Sequence, residues 1–154
     1  MKFVIRACEP SDQPRVASLI ANVLAEHRFD FAQVGALDED FSSLGSLSEK
    51  SGFWLAEAGS QVLGTVAIRP KDGDRCELKR LYVRADWRGM GIGEALYCHA
   101  EDFARAAGYK RIWLDSSRRF GRAQRLYLRH GFQLLEQIDN EWEDTRYEKL
   151  LQHE

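Results

Sequence analysis

The sequence has no basic surplus. Its 22 Lys and Arg stand against 24 Asp and Glu, a net charge of −2. That balance argues against general nucleic-acid binding, which shows an excess of positive charge. Cysteine is scarce: Cys8, Cys76 and Cys98 are scattered, with no CxxC spacing. An odd, dispersed set of this kind reads as reduced thiols, so a cytoplasmic location is expected. The four histidines, His27, His99, His130 and His153, form no HxxxH or other ligand pattern, so no metal site is expected. No apolar run is long enough to span a membrane, and the short apolar stretch after Lys2 is broken at Arg6. Neither a membrane segment nor a secretory leader is expected. Repeats, low-complexity tracts and internal linkers are also missing.

What remains is a chain of 154 residues with 44% apolar and 30% charged residues, the balance of a folded protein. It is read as one domain, 1–154. Residues 2–9 read as a strand. A helix follows, with Ser11 or Asp12 as cap, Pro14 in its first turn, and Val16, Leu19, Ile20, Val23 and Leu24 on one face. Residues 29–50 show no clean period and hold Phe29, Phe31 and Phe41. They read either as an acceptor-binding lid or as a surface connection with its aromatics tucked inward. Three strands come next, 53–59, 61–70 and 75–85, joined by turns at Gly59-Ser60 and at residues 71–74. Ile92, Leu96, Ala100, Phe103 and Ala107 then give a helical stripe closed by Gly108. A strand at 111–117, a helix at 120–131 and strands at 132–137 and 145–151 complete a mixed sheet with helices on its faces.

The densest chemical signal is Arg88-Gly89-Met90-Gly91-Ile92-Gly93, between a strand and a helix. No GxxxxGK[ST] occurs. The dinucleotide fingerprint GxGxxG also fails, because Glu94 and Leu96 stand where its last glycine would be. The consecutive N–H groups of residues 89–94 still make a donor array at the positive end of a helix dipole. Glycine lets a phosphate approach without a Cβ in the way, and Arg88 adds charge. The pattern suits a pyrophosphate.

That hexapeptide resembles the acyl-CoA pyrophosphate loop, [QR]xxGx[GA], of the GNAT superfamily of N-acyltransferases. ELKRLYVRADWRGMGIGEAL (77–96) is similar to its strand–loop–helix core, and AQRLYLRHGF (123–132) to its AxxLYxxxGF signature. The resemblance covers nearly the whole chain. It implies an α+β (mixed α/β) fold with a central mixed, mostly antiparallel sheet of about seven strands flanked by helices.

It further implies acetyl-CoA as co-substrate, without a metal, and direct transfer to an amine. Arg88, Gly89, Met90, Gly91, Ile92, Gly93 and Glu94 would hold the pyrophosphate. Backbone groups of Leu81, Tyr82 and Val83 would bond the pantetheine arm as an added strand does. Leu81 and Val83 can be core residues at the same time. Ser116 and Ala123 would also touch the acyl carrier. Family members often carry an asparagine seven residues before the signature tyrosine, where this chain has Phe120. Either that contact is lost or Ser116 or Ser117 supplies it. Phe29 and Phe31 are candidates for the acceptor pocket.

Acyl transfer to an amine needs a base for the ammonium proton and benefits from an acid at the thiolate. Glu77 is the candidate base and acceptor-side residue; the alternative is a solvated residue paired with Lys79 or Arg80. Tyr127 is the candidate acid; the alternative is a core tyrosine with a satisfied hydroxyl. Arg118, Arg122, Arg125 and Arg129 share one helical face. They read either as a solvated face paired with acids, or as a site for the CoA 3′-phosphate or an acidic acceptor. Cys76 or Cys98 could form an acyl-enzyme, which direct transfer does not need.

The expected activity is N-acetylation of a small polar primary amine by a monomer or homodimer. No nucleic acid or membrane partner is expected. Acetylation of a protein lysine or N-terminus, or a non-catalytic acyl-CoA sensor, are the alternatives.

Overall fold

The structure, a computed structural model, describes residues 2–28, 49–117, 119–137 and 145–151. Phe29, Phe31, Phe41 and Arg118 lie outside the described residues. The elements are β1 (Val4–Ala7), α1 (Gln13–Glu26), β2 (Gly52–Ala58), β3 (Gln61–Asp72), β4 (Arg75–Val83), α2 (Ile92–Ala106), β5 (Arg111–Ser116), α3 (Gly121–Arg129), β6 (Gln133–Gln137) and β7 (Thr145–Leu150). The strands form one seven-stranded sheet in the order β1-β2-β3-β4-β5-β7-β6. Only β4 and β5 pair in parallel.

Side chains alternate across a strand, so β2, β3 and β4 feed two cores. Ile68, Cys76, Leu78, Ile112 and Leu114 pack under α2 and α3 with Leu96, Tyr97 and Leu126. Phe53, Leu55 and Ala67 pack under α1 with Val16, Leu19, Ile20, Val23 and Leu24. The α1 stripe is therefore the one its spacing predicts. Each large apolar side chain buried this way contributes ~1.5–3 kcal/mol before chain entropy is counted.

The start of α1 differs from expectation. Asp12 makes no capping bond to the helix. Its carboxylate accepts from the Glu9 N–H at 2.8 Å, from Arg6 Nη2 at 2.8 Å and from Arg15 Nη2 at 2.6 Å. Arg6 also reaches Glu57 at 2.8 Å, tying β1, α1 and β2 together. Charge pairing has displaced capping because two guanidinium groups bind a buried carboxylate more strongly than one amide does.

Candidate active site

The site follows from where two strands part. β4 and β5 are paired only at Arg75↔Arg111, Cys76↔Ile112 and Glu77↔Trp113. Beyond Glu77 the remaining six residues of β4 have no ladder to β5, whose other edge is taken by β7. A β-bulge turns β4 further. Lys79 lies opposite Ala67 and Tyr82 opposite Thr65, so Arg80 and Leu81 together face one residue, Val66. Arg80 takes φ 61°, left-handed backbone that a side-chain-bearing residue rarely adopts. The fully buried Thr65 hydroxyl donates to the Arg80 carbonyl at 2.6 Å and holds the bulge.

A cleft of about 380 Å³ opens beside this divergence. Leu81, Tyr82 and Val83 form one wall, and Arg88, Gly89, Gly91, Ile92, Gly93 and Glu94 form the next. Ala123, Leu126 and three arginines of α3 line a third side, and Val23 of α1 and His27 just after that helix also contribute. Gly89 and Gly91 take φ of 81° and 83°. These two positions require glycine, because the left-handed turn aims consecutive N–H groups into the start of α2. Met90 is exposed and its side chain does not line the cleft, so only its backbone serves the loop.

Arg88 lines the cleft, but it is not a free cation. Its Nε and Nη2 donate to the Val83 carbonyl at 3.1 and 2.9 Å, and its other nitrogen pairs with Glu26 of α1. It thus anchors the loop to β4 and α1, and the Val83 carbonyl is already an acceptor for Arg88. Glu94 accepts from His130 Nε2 at 2.7 Å and from Arg129 at 3.0 Å. Arg129 and then His130 hold its carboxyl below the usual range.

Glu77 and Tyr127 stand outside the cleft lining, on opposite faces of the sheet. Glu77 is buried, at the last β4–β5 pair, in register with Trp113 and Arg69. Its parity puts it on the α1 side, opposite Cys76 and Leu78. The Arg69 Nε donates to it at 2.7 Å, so its ion-pair partner is Arg69 rather than Lys79 or Arg80. Tyr127 is buried one turn beyond Ala123, against Phe132 at 5.5 Å and Tyr147 at 6.0 Å between ring centroids. Desolvation pushes its phenol well above the ordinary value, so the hydroxyl stays protonated at neutral pH.

Ser116 and Ser117 do not line the cleft. The Ser116 carbonyl accepts from Thr145 at 2.8 Å, and the Ser117 hydroxyl accepts from the Arg119 N–H at 3.1 Å. Phe120 lines it instead, tilted against His27 with 4.7 Å between ring centroids and near Tyr82 at 6.0 Å. An aromatic wall thus occupies the position where an asparagine was expected. Cys76 is fully buried, and desolvation pushes its thiol up to about 12, which leaves no thiolate for an acyl-enzyme. Among the described residues, no group of three or more His, Cys, Asp or Glu is placed to hold a metal ion. No helix among them is long and apolar enough to cross a membrane.

A family model for the acetyltransferase (GNAT) family matches residues 20–132. The chain is similar to N-acetyltransferase 8 of Mus musculus, 44% identical over 88 residues, which are 54% of this chain and 39% of that protein. It therefore spans about two-fifths of the length of that rodent relative. Similarity to the uncharacterized N-acetyltransferase YjgM of Escherichia coli (strain K12) runs further, 31% identical over 137 residues, 84% of this chain and 81% of that one. Among solved structures, an acetyltransferase of the GNAT family from Staphylococcus aureus Mu50 matches with a TM-score of 0.87 at 18% identity, covering 98% of this chain and 100% of that one. PaiA N-acetyltransferase from Thermoplasma acidophilum in complex with coenzyme A matches with a TM-score of 0.77 at 21% identity, over 98% of this chain and 100% of that one. At these identities the structures speak for the fold, whereas the family model covers most of the chain: it belongs to the GNAT family of acetyltransferases.

Proposed function

We propose that this chain, as one GNAT domain, transfers an acetyl group from acetyl-CoA to the primary amine of a small polar acceptor, directly and within a ternary complex. The observation that carries the reading is the cleft at the β4–β5 divergence, walled by the left-handed Gly89–Gly91 loop. Loop N–H groups receive the pyrophosphate at the positive end of α2. The pantetheine arm lies along Leu81–Val83, where β4 has lost its partner. PaiA N-acetyltransferase, which shares this fold, was solved in complex with coenzyme A, which supports coenzyme A as the carrier.

The amine nitrogen attacks the thioester carbonyl carbon. The C–N bond forms, and the tetrahedral oxyanion is stabilised by backbone N–H donors after the Arg80 bulge. Glu77 takes the proton of the ammonium through water at the point where the strands part. Collapse breaks the C–S bond as the Tyr127 hydroxyl gives its proton to the departing sulfur, and the second proton that the attacking nitrogen loses on becoming an amide returns the phenolate to the phenol through water.

The experiment is a panel of small primary amines, with lysine-bearing and free N-terminal peptides alongside, incubated with acetyl-CoA and read by released thiol. Turnover of at least one small amine is expected. Turnover confined to peptides, or coenzyme A binding with no turnover at all, overturns the reading.

A further inference from the structure

We infer that the acceptor is an amine with a neighbouring carboxylate, of the α-amino acid class, and that Arg69 seats the carboxylate. The inference rests on the reading of Glu77 as the base of an amine acyltransferase.

Among the described residues, β5, β6 and β7 add nothing to the α1-side core. Their share of that sheet face carries ion pairs instead. Trp113 stands in register with Glu77, and Asp115, Glu148 and Arg146 continue the same face on β5 and β7. In these pairs the acid forms the floor and the guanidinium the outer layer. The Glu77 side chain is 11% exposed and that of Arg69 51%; Asp115 is 15% exposed and Arg146 36%. Lys71 adds a further cation to the outer layer, its Nζ 3.9 Å from the Trp113 ring centroid.

The arginines are not equally engaged. Arg75 is shared between Asp72 and Glu148, and Arg146 between Asp115 and Glu136. Arg69 gives Glu77 its Nε alone, at 2.7 Å, and its two terminal nitrogens bond no other described residue. The candidate base is thus held by a cation with an unengaged fork. An acceptor entering as a bare ammonium is attracted by Glu77 and repelled by Arg69. A zwitterion answers both charges, its ammonium toward the carboxylate and its carboxylate toward the guanidinium. In an α-amino acid one carbon separates the two groups. The amine that turns to Glu77 therefore carries its carboxylate to the side of the base that Arg69 occupies, where a guanidinium fork bonds carboxylates bidentately.

Rates with acetyl-CoA and alanine, leucine, phenylalanine or glutamate, each beside its α-carboxamide, test the inference in the wild type, Arg69→Gln and Arg69→Lys. The carboxamide has the less basic amine and supplies more neutral nucleophile, so a preference for the acid reports its carboxylate. The wild type is expected to favour at least one acid over its carboxamide by ~10-fold or more in kcat/KM. Arg69→Gln is expected to erase that preference by raising the KM of the acid, with the KM values of the carboxamide and of acetyl-CoA little changed. Arg69→Lys is expected to restore part of it. An effect of Arg69 on the basicity of Glu77 falls on acid and carboxamide alike and leaves their ratio unchanged. A wild type that is indifferent or favours the carboxamide overturns the inference, as does an Arg69→Gln variant that slows both by the same factor. Turnover of other amines with none of these pairs also overturns it. Absence of turnover with every amine removes the acetyltransferase reading itself.

Discussion

The buried Thr65 hydroxyl donates to the carbonyl of Arg80 at 2.6 Å, and that bond fixes the bulge where β4 leaves its neighbour. Arg80 sits in left-handed backbone at φ 61°, which costs ~1–2 kcal/mol for a residue with a Cβ. Thr65→Val keeps the shape and removes the donor. It is expected to lower stability by ~1 kcal/mol in chemical denaturation. It should also raise the KM for acetyl-CoA more than it lowers kcat, because the distorted strand is where the proposed reading lays the pantetheine arm. An unchanged KM separates the bulge from the binding site.

Tyr127→Phe leaves the packing against Phe132 and Tyr147 and removes one proton. We expect kcat to fall ~10–10³-fold with little change in the KM for acetyl-CoA, the range of lost general-acid catalysis. Steady-state kinetics with a saturating acceptor check it. A wild-type kcat returns Tyr127 to the core as a packing residue only.

Glu77→Gln keeps the volume and removes the basicity. The acceptor arrives as an ammonium, since an alkyl amine has a pKa of ~10. The variant's kcat/KM is expected to be depressed at pH 7 and to recover as pH approaches that of the amine. Superimposable pH–rate profiles for the two proteins assign the proton to another acceptor.

Much of this architecture is legible along the chain. The α1 stripe from Val16 to Leu24, the turn at Gly59-Ser60 and the Gly89–Gly91 loop are local signals, and each matches an element of the fold. The bulge is not legible, because residues 79–83 hold neither glycine nor proline. Its left-handed residue is imposed by Thr65 across the sheet. Arg88 shows the same limit: its charge is evident, but its partner Glu26 is 62 residues away. For α3, periodicity puts the arginines on one face. Only the tertiary structure shows that Arg129 is paired with Glu94 while Arg122 and Arg125 line the cleft. Phe120 was legible as a departure from the family pattern. Its role as a cleft wall depends on His27 and Tyr82, which the fold brings to it.

Asp12 predicts the acid limb of stability. Hydrogen bonding to Arg6, above all, lowers its pKa from 3.8 to about 2. Because the folded value lies below the unfolded one, the contribution is complete above pH ~4 and is lost as pH falls toward 2. With the carboxylate almost fully buried, the shift corresponds to about 2 kcal/mol at neutral pH. Asp12→Asn is expected to lose that amount at pH 7 and to converge on the wild type near pH 2, as measured by urea unfolding. A constant difference across the range contradicts the ion-pair account.

Titration of coenzyme A into the wild type and into Gly91→Val tests the central claim most directly. Gly91 holds φ 83°, and no described atom lies within 4 Å of where its Cβ would be. The added side chain therefore meets strained backbone and the ligand, rather than the core. Circular dichroism should show both proteins folded. The wild type is expected to bind with one-to-one stoichiometry and the variant to show no saturable heat. Equal affinity in the two proteins, with both folded, contradicts the assignment of this cleft as the acyl-CoA site.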